Sequence, residues 1–169
     1  STSGLDVVRI INSDFINNKA DQDGGAIHVN QNSNSGAYKL FQIVSDDGKT
    51  HEFTGNMHRV GQDMGTPESN AIYIQEGKVQ LITRNENSKL LFNDGIQGSG
   101  IDKASVSVNG DVTFNSQVKN IGLTLNEGLL TLNSSAKSAE TRPILDNIDL
   151  TINSGSINMQ NDRIDTLNI

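Results

Sequence analysis

The sequence predicts an all-β chain wound as a right-handed, single-stranded parallel β-helix, a solenoid. Three observations point there. Apolar residues come in short bursts with period-2 alternation and never hold helical spacing cleanly over three turns. Asn makes up about one residue in eight and Gly is frequent, and both tolerate the positive φ of tight corners. Aromatics are only 4% of the chain and Trp is absent, so a core must come from Ile, Leu and Val, which favour strands.

The bursts follow one another along the chain. They are Val7–Ile11, Ala26–Val29, Ala71–Ile74, Val79–Ile82, Leu90–Phe92, Val106–Val108, Val112–Phe114, Leu123–Leu125, Leu130–Leu132, Leu150–Ile152, Ile157–Met159 and Ile164–Ile169. The stretch Ala37–Val44 suits either a strand or a short helix. Gln31–Lys49 and Met57–Ser69 are the longest interruptions and are expected as loops.

The C-terminal half repeats itself. Asn109, Asn126 and Asn153 each follow an apolar–polar–apolar triplet and precede a Gly, after which a second apolar triplet begins. Each unit reads strand, Asn/Gly corner, strand. The Asn corners are 17 and then 27 residues apart, an irregularity that a β-helix absorbs in its corner loops. Stacked strands would lie ~4.8 Å apart, inward aliphatics would pile up, and corner Asn side chains would form ladders. At ~20–25 residues per turn, residues 1–169 make one domain of about seven turns, with insertions near 31–49 and 57–69. A β-sandwich uses similar strands and turns and is the alternative.

Net charge is −7. That disfavours nucleic acid, which requires a basic stripe, and anionic lipid. There is no Cys, so disulfides, thiol catalysis and Cys-ligated zinc are excluded. The chain begins at Ser1 without a basic or apolar leader, and the expectation is that any secretory signal has been removed or lies outside the sequence given.

The N-terminal half carries Phe15-Ile16-Asn17-Asn18 followed by Gly24-Gly25-Ala26-Ile27, then Phe53-Thr54-Gly55-Asn56 followed by a decayed Ser69-Asn70-Ala71-Ile72. Phe92-Asn93-Asp94-Gly95 keeps only the Phe. This order resembles the FxxN and GGA[ILV] repeats of chlamydial polymorphic membrane proteins and related autotransporter (type V secretion) passengers. The match covers roughly the first 95 residues. The resemblance implies a fragment of a longer passenger that reaches the bacterial surface through its own C-terminal β-barrel translocator. Phe15 and Phe53 would plug the core, Asn18 and Asn56 would sit at corners, and Gly24 and Gly25 would let the chain turn tightly.

No residue pattern marks a catalytic, cofactor or metal site. Asp21-Gln22-Asp23-Gly24-Gly25 resembles the start of a calcium loop, but Asn32 stands where the twelfth-position Glu should be, and a solvated turn is expected. His51 and His58 are expected at the surface or at corners, and His28 facing solvent. Asp46-Asp47 lies in a turn, Asp94, Asp102 and Asp111 lie beside Gly or in loops, and Asp146 and Asp149 have no basic partner but Arg142. The expected role is non-catalytic: a structural and adhesive segment at the cell surface, outer membrane or secreted. Its partners would be a host-cell receptor or sister passengers, without nucleic acid. The alternative is a carbohydrate-active β-helix, either a lyase, a hydrolase or a glycan binder.

Overall fold

The computed structural model describes residues 7–31, 40–59, 66–133 and 144–160. Ala37–Lys39, Arg142, parts of both expected loops and the stretch Ile164–Ile169 lie outside them. Among the described residues every regular element is a strand. They are β1 (Val7–Ile11), β2 (Phe15–Ile16), β3 (Ile27–Asn30), β4 (Leu40–Ser45), β5 (Thr50–Thr54), β6 (Met57–His58), β7 (Glu68–Ser69) and β8 (Ile72–Thr83). Then follow β9 (Lys89–Phe92), β10 (Ile96–Gly98), β11 (Ala104–Asn109), β12 (Val112–Phe114), β13 (Val118–Glu127), β14 (Leu129–Asn133), β15 (Leu145–Ile152) and β16 (Ser156–Gln160).

The chain is all-β and its two large sheets are parallel throughout. The short β6–β7 pair is antiparallel. Parallel strands need a long connection between partners, and here each partner lies well along the chain. Three runs of pairing result. In the first, Ile27, Ile72, Ile96, Val118 and Leu145 align. In the second, Phe41, Val79, Val106, Leu123 and Leu150 align. In the third, a six-stranded sheet, Phe15, Phe53, Phe92, Phe114, Leu132 and Met159 align.

β8, β13 and β15 each serve the first run and then the second. They bend between the two, β8 at Gly77 (φ 126°), β13 at Asn120 (φ 57°) and β15 at Asn147 (φ 51°). Consequently β10 and β11 both lie between β8 and β13, and these four strands close a ring of pairings.

Period-2 alternation explains the core. In β11 and β12 every second residue is buried, and the buried set is Ala104, Val106, Val108, Val112 and Phe114. The same holds for Leu123, Leu125, Leu130 and Leu132. Each buried Val, Leu or Phe of this set contributes ~1.5–3 kcal/mol. All belong to one cluster that the three runs share.

One expectation is corrected. The interruption at 31–49 contains β4, whose Phe41, Ile43 and Val44 are buried. Alternation in Leu40-Phe41-Gln42-Ile43 drives this segment into the core, so it is a strand and not a display loop. In the second interruption, β6 and β7 flank residues 60–65, which are not described.

Candidate functional site

The predicted motif residues fall into contact. The rings of Phe15 and Phe53 stack at 4.9 Å, those of Phe53 and Phe92 at 4.5 Å, and Phe92 and Phe114 lie 5.6 Å apart at a tilt. The register Ile27↔Ile72 sets Gly24-Gly25-Ala26 upon Ser69-Asn70-Ala71. Gly25 donates its N–H to the Asn70 carbonyl, and a Cβ on Gly25 would meet that oxygen at 2.4 Å. Gly24 has φ 77°. The glycine pair is thus demanded by close backbone approach.

The corner geometry of the FxxN units is shifted by one from the expected place. The residues with positive φ are Asn17 (57°) and Gly55 (71°) at the third position, not Asn18 and Asn56. Asn56 is buried, and its amide oxygen accepts from the Asn18 backbone and side-chain amides at 3.1 and 2.8 Å. Its own Nδ2 donates to the Phe15 carbonyl and to Asp94, at 2.8 and 2.7 Å.

Asp94 lies beside Gly95 in the bend after β9, as expected, and it is buried there. Its carboxylate accepts from Gly55 N, Asn56 N, Asn56 Nδ2 and Ser69 Oγ, all within 3.1 Å. Four donors offset the desolvation that makes a buried charge costly. Asp94 therefore continues the Asn18–Asn56 ladder beside the Phe92 unit, which has Gly95 in place of Asn at its fourth position.

The C-terminal Asn corners form a ladder. Asn126 Nδ2 donates to Asn109 Oδ1 at 3.1 Å, and Asn153 Nδ2 donates to Asn126 Oδ1 at 2.9 Å. The glycines that follow, Gly110, Gly128 and Gly155, all have positive φ, and a Cβ on Gly128 would lie 2.4 Å from Gly110. Further ladders were not anticipated. Asn147 donates to Asn120, Asn115 to Asn93, Gln42 to Gln80, and Arg9 to Gln42, at 2.7–2.8 Å.

His28 is exposed as expected, and its ring meets Tyr73 edge-on at 5.4 Å. The expectation for His51 and His58 is corrected: both are buried, at 7% and 1% exposure. His51 fills the inward position aligned with Leu90, Val112 and Leu130, because it has the same parity as Phe53. Its Nδ1 lies 3.2 Å from Asp14 Oδ1 and its Nε2 lies 3.1 Å from Asp47 Oδ1. His58 Nδ1 lies 3.4 Å from Asp23 Oδ1 and Nε2 lies 3.5 Å from Glu68 Oε2. Burial, with the Asp23 charge adding to it, pushes the Tyr73 hydroxyl above its ordinary 10.0, against the opposing pull of Arg59. Among the described residues no three acidic or histidine side chains converge as metal ligands.

Outward positions also align in rows. Gln80, Ser107, Thr124 and Thr151 form one, continued by Gln42, which is itself buried beneath Arg9. Tyr73, Gln97, Lys119 and Asp146 form another. Such rows offer regularly spaced hydrogen-bonding groups to a facing surface. No family model, no curated protein and no solved structure matches this chain.

Proposed function

We propose that the three runs are the three sides of a right-handed, single-stranded parallel β-helix. The chain is then a segment of an autotransporter passenger on the surface of a Gram-negative bacterium, or secreted from it, with a structural and adhesive role and no catalytic one. The observation that carries this reading is the alignment of the two FxxN units upon each other, Phe15 on Phe53, together with Gly24-Gly25-Ala26-Ile27 upon Ser69-Asn70-Ala71-Ile72. On this reading the passenger-like motifs occupy equivalent places in successive levels. The right-handed sense follows from the strong preference of parallel crossovers.

On this reading each level templates on the one before, which suits a chain that folds as it emerges through its own C-terminal β-barrel translocator. The exposed members of the polar rows, such as Thr151 and Asp146, would meet a host-cell receptor or sister passengers. The test is to mix differently tagged bacteria that do or do not display the whole protein. Mixed aggregates or host-cell attachment only with display are expected. Unchanged aggregation and unchanged attachment would remove the adhesive role.

A further inference from the structure

We infer that the outward side of the six-stranded sheet is where this chain meets a second copy of itself. The inference rests on the β-helix and adhesive reading above, and it narrows the sister-passenger partner to one face. The placement of charge is what carries it.

The net charge is −7, so two copies repel each other wherever charged sides approach. Charged side chains stand on the outward positions of the first two runs. The first run presents Lys119 and Asp146, with Glu68 beside Lys119. The second presents Arg9, Lys78 and Asp149. On the third, from β9 to β16, the two central outward rows hold no charge among the described residues. One row is Leu91, Thr113, Thr131 and Asn158. The other holds Asn93, Asn115, Asn133 and Gln160. Glu52, Lys89 and Asp111 stand at its margins.

Alternation with the inward Phe92, Phe114 and Leu132 requires a residue outside the core at each of these places. Lys or Glu would serve solubility and blunt a sheet against association. The rows carry Thr and Asn instead. The hydroxyls of Thr113 and Thr131 make no hydrogen bond within the chain, so each keeps a donor and acceptor for a partner. Leu129, aligned with Ser156 on the same side, is 38% exposed and adds apolar area.

A second copy is the occupant that this charge map selects. A two-fold arrangement lays the same patch on both copies, so Thr and Asn meet Thr and Asn and no like charges are buried. A strongly charged partner gains nothing from this face. Four strands at ~4.8 Å span ~14 Å along the stack, a small patch for a stable dimer. Association is therefore weak in solution and gains avidity where many copies crowd a cell surface.

Sedimentation equilibrium of the purified chain at about 0.1 M and about 1 M NaCl tests this. Salt shortens the reach of the repulsion from ~10 Å to ~3 Å, so self-association should tighten about threefold or more. Thr131→Glu places a carboxylate from each copy in the interface and should weaken it about tenfold or more at low salt. Thr124→Glu adds the same charge on the second run and should change it less than about twofold. A chain that stays monomeric at both salts, association that weakens as salt rises, or equal losses in the two variants overturns the proposal. Should Thr131→Glu not fold, Thr131→Cys decides it, because the chain has no other Cys. Alkylation there should slow as protein concentration rises, while alkylation of Thr124→Cys stays constant. Equal behaviour at the two sites refutes the face. Host-cell attachment by displaying bacteria reports separately on the adhesive reading. Attachment without self-association refutes this face and leaves that reading standing. Self-association through the face, with neither attachment nor aggregation of displaying bacteria, does the reverse.

Discussion

The ring of Phe53 lies 4.5 Å from that of Phe92, centroid to centroid, and within 13° of parallel. Both are fully buried and occupy aligned positions on β5 and β9. Truncating either to Ala removes a large side chain from a tightly filled column, so Phe53→Ala and Phe92→Ala should each cost ~3–5 kcal/mol. A double-mutant cycle should give a coupling of ~0.5–1.5 kcal/mol for the stacked pair. Urea denaturation of the four proteins checks both figures.

Asn126 is the middle member of the Asn109–Asn126–Asn153 ladder, accepting from one neighbour and donating to the other. Asn126→Ala deletes both hydrogen bonds at once and should cost ~1–3 kcal/mol. Asn153→Ala deletes one and should cost about half as much. Denaturant midpoints that do not separate the two variants would mean the ladder carries no stability of its own.

Two glycines should respond in opposite ways. Gly128 has φ 88° and its added Cβ would collide with the Gly110 backbone at 2.4 Å. Gly100 has open space around it. Gly128→Ala should lose ~2 kcal/mol or more, through strain and displaced backbone. Gly100→Ala should stay within ~0.5 kcal/mol of the parent. Thermal midpoints of the two variants provide the comparison.

The Asp47 carboxyl is held below its ordinary 3.8, because hydrogen bonds from His51 and Lys49 and the Lys49 charge outweigh a burial that works to raise it. A carboxyl with a lowered folded value stabilises the fold fully above the unfolded value. That contribution disappears as pH falls through the folded one. Stability should therefore decline below about pH 4, and Asp47→Asn should flatten part of that decline. Denaturation midpoints between pH 3 and 6 for both proteins reveal the difference.

The strands and their inward faces were legible because period-2 alternation survives in nearly every burst. Asn109, Asn126 and Asn153 were legible as a ladder because the same triplet precedes each. Other features depend on register, which sequence alone does not supply. Asn120 and Asn147 bend β13 and β15 inside continuous strands, where a single Asn amid strand-forming residues does not stand out from the many others in the chain. Gln42 and Gln80 meet only because Phe41 aligns with Val79. His51 and Asp94 carried a usable signal, since they share parity with Phe53 and Phe92. Their polarity argued against burial, and only the carboxylates around His51 and the four donors around Asp94 make burial tolerable. His58 had no such signal, because Asp23 and Glu68 come from separate corners.

The uninterrupted passage of β8 and β13 across a corner bears on engineering. A foreign peptide spliced at Gly77 or Asn120 would have to part a ribbon that is bonded on both edges. One spliced between Gly100 and Asp102 enters exposed backbone between β10 and β11. The scaffold should therefore accept cargo where the chain already pauses and reject it where a single ribbon folds around the edge.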